Sequence, residues 1–140
     1  MTAKECLVRV EWLENEAKRA EERAELLRAD IERITVSYDS VHVQGGQASR
    51  EALIIRLDDA ESKARDARTM ATIYRDRALE LINLLDDKRW RDILKLRYIG
   101  LIKDWDDIAK ELSFSRRHAI RLHGQALYHF SLIIPPEWRQ

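Results

Sequence analysis

The chain is short of the residues that interrupt helices. Among 140 residues there are four glycines and two prolines, and Pro135 and Pro136 both lie in the last six positions. Nothing in the body of the chain therefore forbids long helices. Cysteine is nearly missing too. Cys6 stands alone, which excludes an internal disulfide and a disulfide-stapled scaffold and suits a reducing compartment. No motif surrounds it, so it reads as a small apolar residue on a helix rather than a reactive thiol. Long apolar runs are missing as well: none approaches the ~20 residues of a membrane-spanning helix, and the first residues carry charges every few positions where a signal peptide would be apolar. The expectation is a soluble, cytoplasmic, mainly helical protein with no membrane partner. Its length suits one ordinary domain, or a long helical element with one small module, and is too short for a typical multidomain enzyme.

Net charge is also missing, since 25 basic residues balance 25 acidic ones. Evenly mixed, that balance would argue against a polyanionic partner. It is not evenly mixed. Residues 1–87 hold 14 bases and 19 acids, net −5, whereas residues 88–140 hold 11 bases and 6 acids, net +5. The texture changes at the same place: Trp90, Tyr98, Trp105, Phe114, Tyr128 and Phe130 follow Asp87, where the preceding stretch has Trp12, Tyr38 and Tyr74. The zero is two opposite halves cancelling, an acidic arm that should avoid a polyanion and a basic, aromatic module that should seek one.

In the acidic segment, Val10, Leu13, Ala17, Ala20, Ala24, Leu27, Ile31 and Ile34 step alternately by three and four, a heptad seam flanked by Glu, Lys and Arg. A helix from about Thr2 to Ile34 would be about 50 Å long at ~1.5 Å per residue and cannot bury its stripe alone. Leu53, Leu57, Ala60, Ala64, Ala67, Ala71, Tyr74, Ala78, Leu81 and Leu85 repeat the alternation. Between the two lies a segment over about 35–48 with Ser, Asp and Gly45-Gly46, which reads as a loop; its Val36, Tyr38, Val41 and Val43 suit structural packing, and its lone His42 suggests neither ligand nor catalyst. The simplest arrangement is an antiparallel helical hairpin with a thin, alanine-rich seam. Because an alanine methyl buries little area, association into a homodimer or docking on the C-terminal part is an expected further source of stability.

In the basic segment, Trp90, Ile93, Leu94 and Arg97-Tyr98 form an amphipathic helix that Gly100 ends. Asp104 stands as an N-cap ahead of Ile108, Ala109 and Leu112, with Asp107 also favoured at the positive helix end. After Ser113-Phe114, Ser115 caps a third helix from Arg116 to about Ile133, with Ala119, Leu122, Ala126 and Phe130 as its apolar stripe. A short helix, a tight turn and a helix opening on Arg-Arg is the pattern of a helix-turn-helix. Ala109 fits a close helix crossing, and Phe114 fits a plug between the helices. Opposite the stripe stand Arg116, Arg117, His118, Arg121 and Gln125. Arginine contacts phosphate or guanine and glutamine reads adenine, in a groove ~12 Å wide that accepts a helix. Ser113 takes the turn position where glycine is common, at a cost on the order of 1 kcal/mol.

Trp105-Asp106-Asp107-Ile108-Ala109-Lys110-Glu111-Leu112-Ser113-Phe114-Ser115-Arg116-Arg117, followed by Gln125-Ala126-Leu127, resembles the helix-turn-helix of sigma factor region 4, and Ile93-Leu94-Lys95-Leu96-Arg97-Tyr98 is similar to the helix preceding it. The whole layout resembles small phage and prophage proteins of Gram-positive bacteria, the sigma-region-4-like group related to the ArpU and RinA late-transcription regulators, including Val43-Gln44 near the loop and Arg121-Leu122-His123-Gly124. The motifs run from about Leu84 to Phe130. The resemblance implies sequence-specific binding of double-stranded DNA and control of phage gene transcription in a bacterial host. It places Arg116, Arg117 and Arg121 toward DNA with Ser115 at the helix start and His118 beside them, while Ile120 stands where that group is often polar. Nothing resembles the promoter-melting or clamp-binding parts of a sigma factor, so an accessory regulator is implied.

The expected architecture is therefore all-α: a coiled-coil-like hairpin over 1–87, a helix-turn-helix module over 88–134 and a tail over 135–140. Catalysis is not expected. Asp58-Asp59, Asp86-Asp87 and Asp106-Asp107 are adjacent pairs that diverge by ~100° on a helix. His118, His123 and His129 have the wrong spacing for two metal ligands on one face, and no phosphate-cradling glycine loop occurs; neither a metal nor a cofactor is implied. The competing expectation is an interaction protein in which the coiled coil does the binding and the C-terminal bundle contacts bacterial RNA polymerase or a phage assembly component. A DNA-packaging recognition subunit is a third, although in such proteins the DNA-binding part usually comes first.

Overall fold

A computed structural model describes residues 1–40 and 44–139, with side chains described outside 35–48. It is all-helical, with no strand among the described residues: α1 (Ala3–Ser40), α2 (Gln44–Asn83), α3 (Lys88–Leu94), α4 (Trp105–Leu112) and α5 (Arg116–Ser131). A π-helical turn, Lys95–Ile99, continues α3, and a 3-10 turn covers Pro136–Trp138. No helix among the described residues is long and apolar enough to cross a membrane. The long helices extend further than their seams suggested. Helix is assigned through Ser40 and again from Gln44, so the connection expected over 35–48 is shorter. Gly45 and Gly46 fall in the first turn of α2, where low helix propensity costs less than in a helix interior. Val41, His42 and Val43 lie outside the described residues, as do the side chains of Val36, Tyr38 and Gln44.

The chain divides into two compact units, Leu13–Ala71 and the pair of segments Met1–Trp12 and Thr72–Gln140. In Leu13–Ala71 the thin seam follows the heptads: Leu13, Ala17, Ala24, Ala60, Ala64 and Ala71 are buried, and Ala20, Leu27, Ile31, Leu53, Leu57 and Ala67 are half-buried. Charged side chains bridge α1 and α2 beside it. Arg68 pairs with Glu14 at 2.6 Å and Glu21 at 2.5 Å, and Arg28 with Glu61 at 3.1 Å. The hydrogen bond from Arg68 holds the Glu21 carboxyl below its ordinary pKa. Such partly exposed pairs are each worth ~0–1 kcal/mol and fix register more than they add stability.

The other unit has a fuller core. Cys6, Leu7, Ala78, Ile82, Ile93, Leu94, Ile108, Ala119, Leu122, Ala126 and Phe130 are all sealed from solvent or nearly so. Cys6 sits here as an apolar residue, its thiol pKa pushed up by burial. Within the expected tail Trp138 is buried, as is Ile134 just before it; Trp138 stacks on Tyr74 with ring centroids 4.4 Å apart, and the Cys6 thiol donates to the Trp138 carbonyl at 3.4 Å. Tyr74 donates its hydroxyl to the Cys6 carbonyl at 2.7 Å, and burial lifts its pKa to about 12.

Candidate nucleic-acid interface

Four local devices set the position of α5. Asp104 caps α4 by accepting from the Asp106 N–H at 2.8 Å, and Asp106 and Asp107 occupy the first turn, where the helix dipole favours acids. At the far end Ser113 adopts the left-handed conformation, φ 59° and ψ 39°. The Phe114 N–H reaches back to the Ala109 carbonyl at 2.8 Å and the Ser113 N–H to the Lys110 carbonyl at 3.2 Å, the paired bonds of a Schellman ending. Ser115 then restarts the chain by accepting from the His118 N–H at 3.1 Å. The turn between α4 and α5 is three residues, and both α3 and α4 pack on α5.

The end of α3, continued by the Lys95–Ile99 turn, falls at Gly100 as expected. Gly100 is its C-cap with φ −78°, an ordinary right-handed value, and the left-handed residue is Leu101, φ 59°. The chain closes through a bond from the Gly100 N–H to the Lys95 carbonyl at 2.7 Å and one from Ile102 to Leu96 at 3.0 Å. Glycine at 100 avoids a tight contact, since a Cβ there would sit 3.1 Å from the Leu96 carbonyl oxygen.

The face of α5 turned away from its core is basic. Arg116, Arg117, Arg121 and Gln125 are exposed, Ser115 stands exposed at the N-cap, and His118 is half-buried with its ring edge against Phe114 at 4.7 Å. The four charged or amide groups are not equivalent. Arg116 Nε lies 3.9 Å from an Asp106 carboxylate oxygen, so part of its charge is balanced. Arg117 and Arg121 have no ion pair or hydrogen bond among the described residues. Gln125 Oε1 accepts from the Trp90 indole N–H at 3.4 Å, which engages its acceptor and leaves the amide nitrogen as the group to present. That arrangement suits a donor's contact with phosphate or guanine better than the two-sided reading of adenine. Ile120 is exposed on the same helix, 43% accessible, the one large aliphatic side chain among these polar groups.

Behind the basic face lies an aromatic layer that sequence spacing did not reveal. The Trp90 ring stacks on His129 with centroids 3.9 Å apart. Arg97 sits 4.5 Å over the Trp105 ring and donates to the Lys103 carbonyl. The Tyr98 hydroxyl and His123 Nε2 share a hydrogen bond at 2.7 Å. Helical spacing places His123 at the edge of the buried stripe of α5, but its partner is 25 positions away, where pattern alone assigns no pairing. His118, His123 and His129 go to separate aromatic partners, and among the described residues no three His, Cys, Asp or Glu side chains converge to hold a metal.

The burial of His123 makes stability depend on acid. Burial, and secondly the charges of Arg97 and Lys4, lower the His123 pKa from 6.5 to about 4. The unfolded chain takes up this proton near pH 6.5 and the folded chain only near 4. Stability from this group is complete above about pH 6.5 and is lost as the pH falls toward 4. Urea midpoints should decline over that interval for the parent protein, and the decline should flatten in His123→Gln, which keeps a polar side chain but cannot titrate. Parallel pH profiles for the two proteins would refute the assignment.

No protein-family model, curated protein or solved structure matches this chain.

Proposed function

We propose that this protein is a sequence-specific, DNA-binding transcriptional regulator of phage or prophage genes, working in the cytoplasm of a bacterial host. In this reading an acid-rich helical hairpin carries a C-terminal helix-turn-helix, and α5 reads duplex DNA. The observation that carries the reading is the state of Arg117 and Arg121: two exposed guanidinium groups without partners among the described residues, on the open face of a helix whose start is fixed by a tight turn and a serine cap. An exposed cation without a carboxylate beside it retains its full attraction for phosphate, and arginine's planar fork also matches guanine. The resemblance of residues 105–117 to sigma factor region 4 supports the same role. A homodimer would multiply the affinity of one short recognition helix by pairing half-sites.

The test is a salt titration on duplex DNA selected from a random pool. Neutralising about four phosphates gives a slope of log affinity against log salt near −3.6. Failure to enrich any duplex, or an affinity indifferent to salt, would remove the proposal.

One observation favours a second reading, an interaction protein that contacts RNA polymerase or an assembly component. Met1, Lys4, Glu5, Val8, Arg9 and Trp12 line an apolar groove of about 420 Å³ on α1, and Trp12 is 55% exposed. Capture of polymerase by a protein with no affinity for DNA would favour it.

A further inference from the structure

Gly124 poses a problem that the chain itself does not solve. It lies in the middle of α5, where an exposed glycine weakens a helix relative to alanine. A glycine is retained in such a place for one of two internal reasons, a backbone conformation that other residues avoid or a neighbour that leaves no room for Cβ. Neither holds. No described glycine has positive φ, and a Cβ built on Gly124 meets nothing within 4 Å. Gly100 provides the contrast, with a carbonyl oxygen pressed against the place its Cβ would take. The bare α-carbon of Gly124 therefore faces outward.

Its surroundings indicate what it faces. At ~100° per residue, Arg117, Arg121, Gly124 and Tyr128 fall within about 60° of one another around the helix axis. All four are exposed, Tyr128 by 60%. Among the described residues neither arginine has a polar partner, and neither does the Tyr128 hydroxyl. The Tyr128 ring stands edge-on to His129 at 5.2 Å, which limits its swing. Along the axis Gly124 is about 10 Å beyond Arg117 and Tyr128 about 16 Å beyond it, at ~1.5 Å per residue. The major groove is ~12 Å wide. A helix that enters the groove by its arginine end and slopes outward thus meets the groove's far rim at the glycine.

Resting on the proposal that α5 reads duplex DNA, we infer that a sugar-phosphate strand crosses α5 at Gly124, and that Tyr128, one turn on, donates its hydroxyl to a phosphate of that strand. The missing side chain lets helix backbone and phosphodiester approach closely enough for Arg117 and Arg121 to reach base edges. Any larger residue at 124 holds the helix off the rim and withdraws both arginines. The footprint of α5 then extends well past its first two turns, to residues that charge alone does not single out.

Substitution of Gly124 by alanine separates the two roles a glycine can have. Because the space is open, Gly124→Ala is expected to melt at a higher temperature than the parent while binding the selected duplex at least tenfold more weakly. Tyr128→Phe, which removes only the hydroxyl, is expected to keep the parent melting temperature and bind about fivefold more weakly, the effect of one lost hydrogen bond. If the parent binds duplex DNA and Gly124→Ala binds it equally or more tightly, the crossing at Gly124 is wrong while α5 as reader stands. A lower melting temperature for Gly124→Ala also overturns it, because the glycine then serves the fold. Equal binding by Tyr128→Phe overturns the phosphate contact. A parent that binds no duplex removes both the inference and the reading beneath it.

Discussion

Replacing Arg117 and Arg121 together by alanine is expected to lower affinity for the selected duplex by about 30-fold or more, with no loss of thermal stability. Each well-placed arginine contact with DNA is worth ~1–3 kcal/mol, so two at the low end give about 2 kcal/mol, or about 30-fold. Stability should hold because neither side chain has a partner to lose among the described residues. The salt dependence shows what the two arginines touch. If both neutralise phosphates the slope shallows by about 1.8; if both read bases it stays near the parent value while discrimination between sequences falls. Arg116→Ala should cost less than either single change, since Asp106 already offsets part of that charge. A double variant of Arg116 and Arg121 that binds its best sequence as tightly as the parent would end the idea that α5 is the reading helix.

Trp138→Ala carries the largest expected loss of stability, about 3–5 kcal/mol, as for other buried aromatic residues cut to alanine. Trp138 is 9% exposed and stacks almost parallel on Tyr74, interplanar angle 7°. Truncation opens a cavity against Tyr74 and Cys6 that these neighbours, on two long helices, cannot collapse to fill. A decrease of roughly 10 °C in melting temperature is anticipated, measurable by circular dichroism. The side chains proposed to contact DNA are left in place, so at a temperature where the variant is folded its affinity should stay near the parent's. A loss below about 1 kcal/mol would mean that residues 134–138 lie on the surface and are not part of the core.

What the sequence makes legible is whatever repeats. Every heptad position with a described side chain, from Val10 to Ile34 and from Leu53 to Leu85, is buried or half-buried, because a helix with one apolar stripe has one way to hide it. The caps at Asp104 and Ser115 and the left-handed Ser113 are equally local, each decided by a side chain and the few amides next to it. The extents of α1 and α2 were less readable, because Ser and Gly lower helix propensity without forbidding helix. Long-range pairings left no pattern to read. Trp138 follows two prolines and belongs to no stripe, and the bonds from Tyr98 to His123 and from Trp90 to Gln125 join residues 25 and 35 positions apart. The arginine face was legible as composition, but which arginines are free and which is balanced by Asp106 depended on how α4 approaches α5.

The two faces of α5 are built from separate sets of positions. Ala119, Leu122, Ala126 and Phe130 hold the helix in place, and the positions between them that point outward have almost no duties within the chain. Substitutions at 117, 120 or 121 can accumulate without endangering the fold, so on the proposed function a lineage carrying this scaffold would be free to drift toward new targets while its architecture is retained. Under that regime two relatives could keep the same buried residues and the same turn at Ser113 and share little of their outward-facing sequence. Ile120, exposed among the polar groups of that face, has the character of a position open to such change.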